Sequence, residues 1–262
     1  MFHPYGLRED LDDLRNELAP STQILECDRE FESMPEDWIY ELAFVTDSIA
    51  PVTYPADWIP ENAPSALDRY ADTEPAIGLP GDGGVTWTAN TDPSLVIVKP
   101  RLTGAPEDFR DFLVAEAILQ LSLDHPETAI EFFGESYPAL QTATNDNVDL
   151  TFRLAVSLFD GWQGLETREQ FRKWADRYPR LHDAWADAGE QLQPRIDSLP
   201  MLLSNRSLRF GEATELACSA IKHDLDLPSP FAALDVAAYR ERGSEFAVRW
   251  TERTLEQLDH PP

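Results

Sequence analysis

The chain has 262 residues, with 48 Asp and Glu against 21 Lys and Arg and a formal charge of −27 at pH 7. Such a charge points to disorder only when hydrophobicity is also low, and here 42% of residues are apolar, including seven Trp and 13 Phe, enough to bury a core. Two cysteines, Cys27 and Cys218, are too few for a disulfide scaffold, and no apolar run reaches the ~18 residues of a membrane span.

Leu7, Leu11, Leu14 and Leu18 recur at helical spacing among charges, so 5–18 is predicted as a short amphipathic helix ended by Pro20. Thr22 to Cys27 reads as a strand, and 36–49 as a helix beginning after Pro35. Prolines 51, 55, 60, 64, 75 and 80 remove backbone donors and fix φ, which makes 51–80 an irregular ordered loop. Trp58, Ile59, Leu67 and Tyr70 are expected to hold it against the body. Gly81-Asp82-Gly83-Gly84 is a hairpin-entry turn and not a phosphate loop, for it lacks the Gly-Lys-Ser/Thr ending and a following helix. Val85–Thr88 and Ser94–Val98 then form the hairpin.

From Pro106 onward the pattern is helical. Pro106-Glu107-Asp108 places proline in the first turn and acids at the positive end of the dipole, and His125-Pro126-Glu127 repeats the device. Further helices are predicted over 148–160, 168–177, 180–193, 196–203, 211–224, 230–241 and 245–258, punctuated by Gly161, Gly211 and Gly243 and by Pro179, Pro194, Pro200 and Pro228. No repeat recurs at fixed period. The expected fold is α+β, mainly α, with a small N-terminal part bearing a β-hairpin packed on a C-terminal helical array. It is expected as a single domain, 1–262; the alternative is two lobes, a mixed, Pro-rich 1–104 and an all-helical 105–262.

Charge is uneven along the chain. Residues 1–150 hold 30 acids and 7 bases, a net of −23; residues 151–262 hold 18 and 14, a net of −4. Only Lys99, Lys173 and Lys222 are lysines. An acid-rich, Lys-poor chain resembles the proteins of salt-in halophilic archaea, where molar salt shortens the Debye length to roughly 3 Å and screens self-repulsion. The two cysteines are expected to be reduced and buried, and, with no membrane span, a cytoplasmic protein is expected. The first residues, Met1 to Gly6, lack the positive leader and apolar stretch of a signal peptide.

Three constellations bear on chemistry. The segment from Phe109 to Leu123 is apolar nearly all round, as in a buried helix, with Glu116 and Gln120 one turn apart in its middle. A buried carboxylate needs a partner or a raised pKa. A hairpin followed by such a helix resembles the core of zinc metallopeptidases of the HExxH type, in which two His ligands flank a general-base Glu. The matching residues are Ala115-Glu116-Ala117-Ile118-Leu119: Glu116 agrees and both ligand positions are apolar, so the resemblance implies a degenerate, non-catalytic relative. The alternative use of the same residue is an enzyme with Glu116 as its catalytic group. The histidines (His3, His125, His182, His223 and His260) form no ligand cluster, and neither a metal nor a cofactor is expected.

The second constellation, Phe171, Trp174, Tyr178, Leu181, Trp185 and Leu192, reads as core packing across a bend at Tyr178-Pro179. The third is basic: Arg168, Arg172, Lys173, Arg177 and Arg180 fall within 13 residues. Arg168, Arg172 and Lys173 form a candidate site for an anionic ligand, against intrahelical pairing with Glu166, Glu169 and Asp176. Arg195, Arg206 and Arg209 are a second basic group, suited to pairing with the acidic N-terminal half. Nucleic acid is disfavoured, because phosphate binding weakens steeply with salt. The leading expectation is a non-enzymatic interaction or regulatory protein, docking a protein partner or a second copy through the near-neutral helical half.

Overall fold

The chain is α+β and mainly helical, 61% helix against 8% strand, in the computed structural model, which describes residues 1–70, 75–123 and 125–259. His260 and residues 71–74 of the Pro-rich stretch lie outside the described residues. Two compact units interleave along the chain. The first comprises Met1–Tyr54, Ser65–Glu127 and Trp174–Ala184, and the second Pro55–Pro64, Thr128–Lys173 and Trp185–Pro262.

The first unit is built on strands β1 (Phe2–Pro4), β2 (Gln23–Cys27), β4 (Val85–Thr88) and β6 (Leu95–Val98), in the order β1-β2-β6-β4. β2 and β6 run parallel, with Ile24 opposite Val96, while β1 and β4 are antiparallel to their neighbours. All four residues of β6 are buried, the apolar run expected of a central strand covered on both faces. On one face lie Leu95 and Ile97 with Leu25, Cys27, Phe31, Met34, Trp38, Ile39 and Leu42. Helix α3 (Glu107–Ser122) packs on β4, β6 and α1 (Glu9–Leu18). The predicted hairpin is thus the β4–β6 pair, and the strand over 22–27 is β2. The edge strand β1 carries no apolar alternation long enough to announce it.

Helix α2 (Glu36–Leu42) buries Trp38, Ile39 and Leu42 but stops seven residues short of the predicted end. Thr46 turns both its N–H and its hydroxyl back onto the Leu42 carbonyl. Ser48–Ile49 (β3) then pairs with Thr91–Asp92 (β5), a ladder that competes with helix continuation. In the Pro-rich stretch Leu67 and Tyr70 are buried, with Tyr70 stacked on Tyr54 at 5.7 Å.

The second unit is helical: α4 (Ala129–Phe133), α5 (Tyr137–Ala143), most of α6 (Val148–Arg177) and of α7 (Pro179–Asp197), α8 (Leu199–Ser204), α9 (Phe210–Lys222) and α10 (Ala237–Asp259). Three predicted boundaries move. The helix start assigned to His125-Pro126-Glu127 lies at Thr128, whose hydroxyl caps the Glu131 N–H. Glu127 instead accepts from Thr88, Ala89 and Asn90. Pro194 sits inside α7 rather than ending it. Gly161 does not break α6. A Cβ at Gly161 would stand 2.9 Å from Cys218 Sγ, and one at Gly164 2.9 Å from the Lys222 Cβ, so these glycines serve close approach of α9, not termination. Gly243, by contrast, does kink α10, with φ 50° and ψ −125°.

Candidate functional site

Glu116 lies on α3 at 8% exposure, and Gln120 accepts a hydrogen bond from Trp87 Nε1 at 2.8 Å. Gln120 therefore fastens β4 to α3. Ala115 and Leu119, at the positions where the metallopeptidase motif needs histidine, are buried apolar residues that supply no metal ligand. Among the described residues no group of three or more His, Cys, Asp or Glu side chains is placed to hold a metal ion.

The basic run divides in two. Arg168 donates to Asp235 at 2.6 Å and lies 3.6 Å from Asp224, and Arg172 pairs with the same Asp224. Lys173 donates to Gln170 at 3.4 Å. An anion at Arg168 and Arg172 would have to displace Asp224, so the open guanidinium pair that such a site requires is not formed. Nor is the expected intrahelical pairing: Glu166 and Glu169 both receive Arg240.

The remaining bases of the run work in the first unit. Arg180 donates to Asp10, Asp108 at 3.0 Å and Asp111 at 2.9 Å, and Arg177 reaches Glu17. Asp111, buried on α3, also accepts from Tyr5 Oη at 2.7 Å and Arg8 Nε at 2.6 Å. Bases from the C-terminal half of the sequence thus do neutralise N-terminal acids, but they are Arg177 and Arg180 rather than Arg195, Arg206 and Arg209. By unit, the first carries 26 acids against 9 bases, −17, and the second 22 against 12, −10. The near-neutral half is a property of the sequence, not of a folded body.

A third grouping collects at the carboxyl ends of the parallel pair β2 and β6. Lys99 follows β6 directly and is 1% exposed. Its Nζ has no hydrogen-bond partner among the described residues and lies 4.7 Å from the centroid of the Phe31 ring. Burial lowers the Lys99 pKa, against the pull of Asp82. Asp82 Oδ2 accepts from the Leu79 N–H at 2.7 Å and the Thr86 hydroxyl at 3.2 Å. Dense surroundings push this carboxyl up toward about 6, yet the residue is exposed. Solvent restrains the rise, so the group is ionised at neutral pH. Gly78, at φ 79°, has room for no Cβ: one there would stand 2.7 Å from the Glu32 carbonyl oxygen, 3.0 Å from the Phe31 ring and 3.5 Å from Asp82 Oδ2. The segment carrying Phe31 is tied down by Arg101, which pairs with Glu30 and with Glu32 at 2.6 Å and donates to the Phe31 carbonyl at 3.4 Å.

On the outer side of α2 the surface is aromatic. Tyr40 is 67% and Phe44 90% exposed, four residues apart on a helical path that continues past Leu42 through the Phe44 N–H to Glu41 carbonyl bond. Acids Glu36, Asp37, Glu41 and Asp47 occur in the same segment, with no base between Glu36 and Asp47.

A family model described as a family of unknown function, DUF7089, matches residues 1–258. The chain belongs to the DUF7089 family. No curated protein and no solved structure matches this DUF7089 chain. Among its described residues no helix is long and apolar enough to cross a membrane. Two groupings of this DUF7089 member escape sequence reasoning. Lys99 did leave a signal, a lysine directly after four apolar strand residues in a chain with three lysines. Phe44 left none, because an apolar residue near the end of an amphipathic segment looks the same whether it faces core or solvent.

Proposed function

We propose that this protein is a non-enzymatic interaction protein of a salt-rich cytoplasm, docking a protein partner through the outer side of α2. The observation that carries this reading is the exposure of Phe44, 90%, in a chain whose other phenylalanines are at least partly buried. Burying a phenylalanine is worth about 1.5–3 kcal/mol, and a large exposed aromatic is the usual anchor of a docking surface. Tyr40 extends the patch. The flanking acids commit the partner to a segment that is apolar at its centre and carries Arg or Lys at its rim. Salt-rich surroundings weaken the charge contribution and strengthen the apolar one, which suits an aromatic anchor. The proposed docking face thus belongs to the first unit, whereas the sequence led to the expectation of residues 151–262. There the large exposed apolar residues are Met201, Val236 and Leu258, one on α8 and the others before and at the end of α10.

The test is affinity capture in molar KCl with the native chain and with Phe44→Glu, followed by zero-length carbodiimide cross-linking. A partner lost with Phe44→Glu, cross-linked through Lys residues to Glu36, Asp37 or Glu41, supports the proposal. Capture indifferent to Phe44, or a doubled mass of the pure protein that Phe44→Glu abolishes, rejects it, the latter in favour of self-association.

A further inference from the structure

We propose that Lys99 is a nucleophilic amine that condenses with small uncharged aldehydes, forming an imine beneath the ring of Phe31. This goes beyond the docking reading and rests on other residues. Lys99 is the one lysine buried in a chain with three. It follows β6 at the carboxyl end of the parallel pair, where loops after neighbouring strands converge and open α/β sheets bind ligands. Its Nζ makes no hydrogen bond among the described residues, so the amine lone pair is not opposed by a fixed acceptor. The ring of Phe31 stands over it, packed edge-on against Trp38 on a segment also held by ion pairs from Arg101 to Glu30 and Glu32.

The chemistry follows from these surroundings. Every lowering of an amine's pKa by one raises its neutral, nucleophilic fraction at pH 7 about tenfold, and burial moves Lys99 in that direction. The neutral Nζ lone pair forms a bond to the carbonyl carbon as the C=O π pair moves to oxygen. One proton then passes from nitrogen to that oxygen, giving a carbinolamine. The second nitrogen proton leaves with the hydroxyl as water when the C–O bond breaks. Amine and aldehyde thus become imine and one water, with no change of oxidation state. Both protons pass through solvent, while the ionised Asp82 favours the charged amine and sets how much of it is neutral. Phe31 contributes an apolar wall. Arg101 is spent on Glu30 and Glu32, and these acids with Asp82 repel anions, so the site favours uncharged aldehydes over 2-oxo acids.

The folded protein in molar KCl is incubated at pH 7 with glyceraldehyde and sodium cyanoborohydride, which reduces an imine to a stable secondary amine, and the adducts are mapped by peptide mass. Lys173 and Lys222 are internal controls. Lys99 is expected to carry the adduct at least about tenfold over either. Phe31→Ala, by uncovering the amine, and Asp82→Asn, by removing the charge that favours the ammonium form, are both expected to speed its labelling, the circular dichroism of Asp82→Asn being unchanged. Pyruvate under the same conditions is expected to modify Lys99 about tenfold less. A wild-type map in which adducts follow exposure, with Lys173 modified and Lys99 intact, overturns the proposal and leaves Lys99 a structural cation. Equal modification by pyruvate overturns the substrate class.

Discussion

Asp111 gathers a tyrosine and two guanidinium groups around one buried carboxylate. Its removal leaves the buried Tyr5 hydroxyl without its acceptor and takes one carboxylate from Arg8 and Arg180, which keep Asp108 and, for Arg180, Asp10. Asp111→Ala is therefore expected to cost about 2–4 kcal/mol, measured by denaturant unfolding in molar KCl. Arg153→Ala, which breaks only the exposed pair with Glu215, is expected to cost less than about 1 kcal/mol. A similar loss in both variants would sink the distinction. Nothing in the sequence singles out Asp111. The basic run from Arg168 to Arg180 was legible, but the nearer partners Glu166, Glu169 and Asp176 competed on paper with acids 52 to 170 residues away. Helical spacing weighs only local pairs, and Arg240, from a later helix, took Glu166 instead.

Among elements, the contact of α7 with the end of α9 carries a titration. His223 stacks on Trp185, and its Nδ1–H donates to the Trp185 carbonyl at 2.9 Å. Burial, then the neighbouring Lys222 charge, hold its pKa down to about 3. The folded state thus refuses a proton that the unfolded chain takes up near pH 6.5. The stability from a neutral His223 is fully present above 6.5 and is lost as pH falls from there toward 3. Acidification through that window is expected to remove up to a few kcal/mol. His223→Gln is expected to flatten the pH dependence of the unfolding midpoint; an unchanged slope would refute the assignment. The elements were the most legible level. Short β-rich runs found β2 and the β4–β6 hairpin, and an apolar segment with the Pro106 start found α3. Glycine was the ambiguous letter: it marks a kink at Gly243 and close helix approach at Gly161, and sequence cannot tell a needed φ from a needed absence of Cβ.

At the scale of the whole chain, −27 charges repel one another to a degree that depends on the salt around them. The Debye length grows from ~3 Å at 1 M salt to ~30 Å at 0.01 M, so dilution restores repulsion among acids that few bases offset. Transfer from molar to ten-millimolar KCl is expected to lower the Tm by about 10 °C or more. A Tm indifferent to KCl would refute the salt-adapted reading. That composition was plain in the sequence. What was not plain is how the charge is apportioned, because the fold cuts the chain five times between units and returns Arg177 and Arg180 to the acidic N-terminal strands and helices.

That return has a consequence in time. Asp10, Asp108 and Asp111 leave the ribosome well before Arg180, the residue that joins them. During synthesis Arg8 is already at hand for Asp108 and Asp111, but the acidic segments must wait for their second cation, some 70 codons downstream of Asp111. Ions of the medium would then act as a stand-in for an arginine not yet made, and the first unit would close only once Trp174–Ala184 has emerged, as the chain supplies its own replacement for the salt.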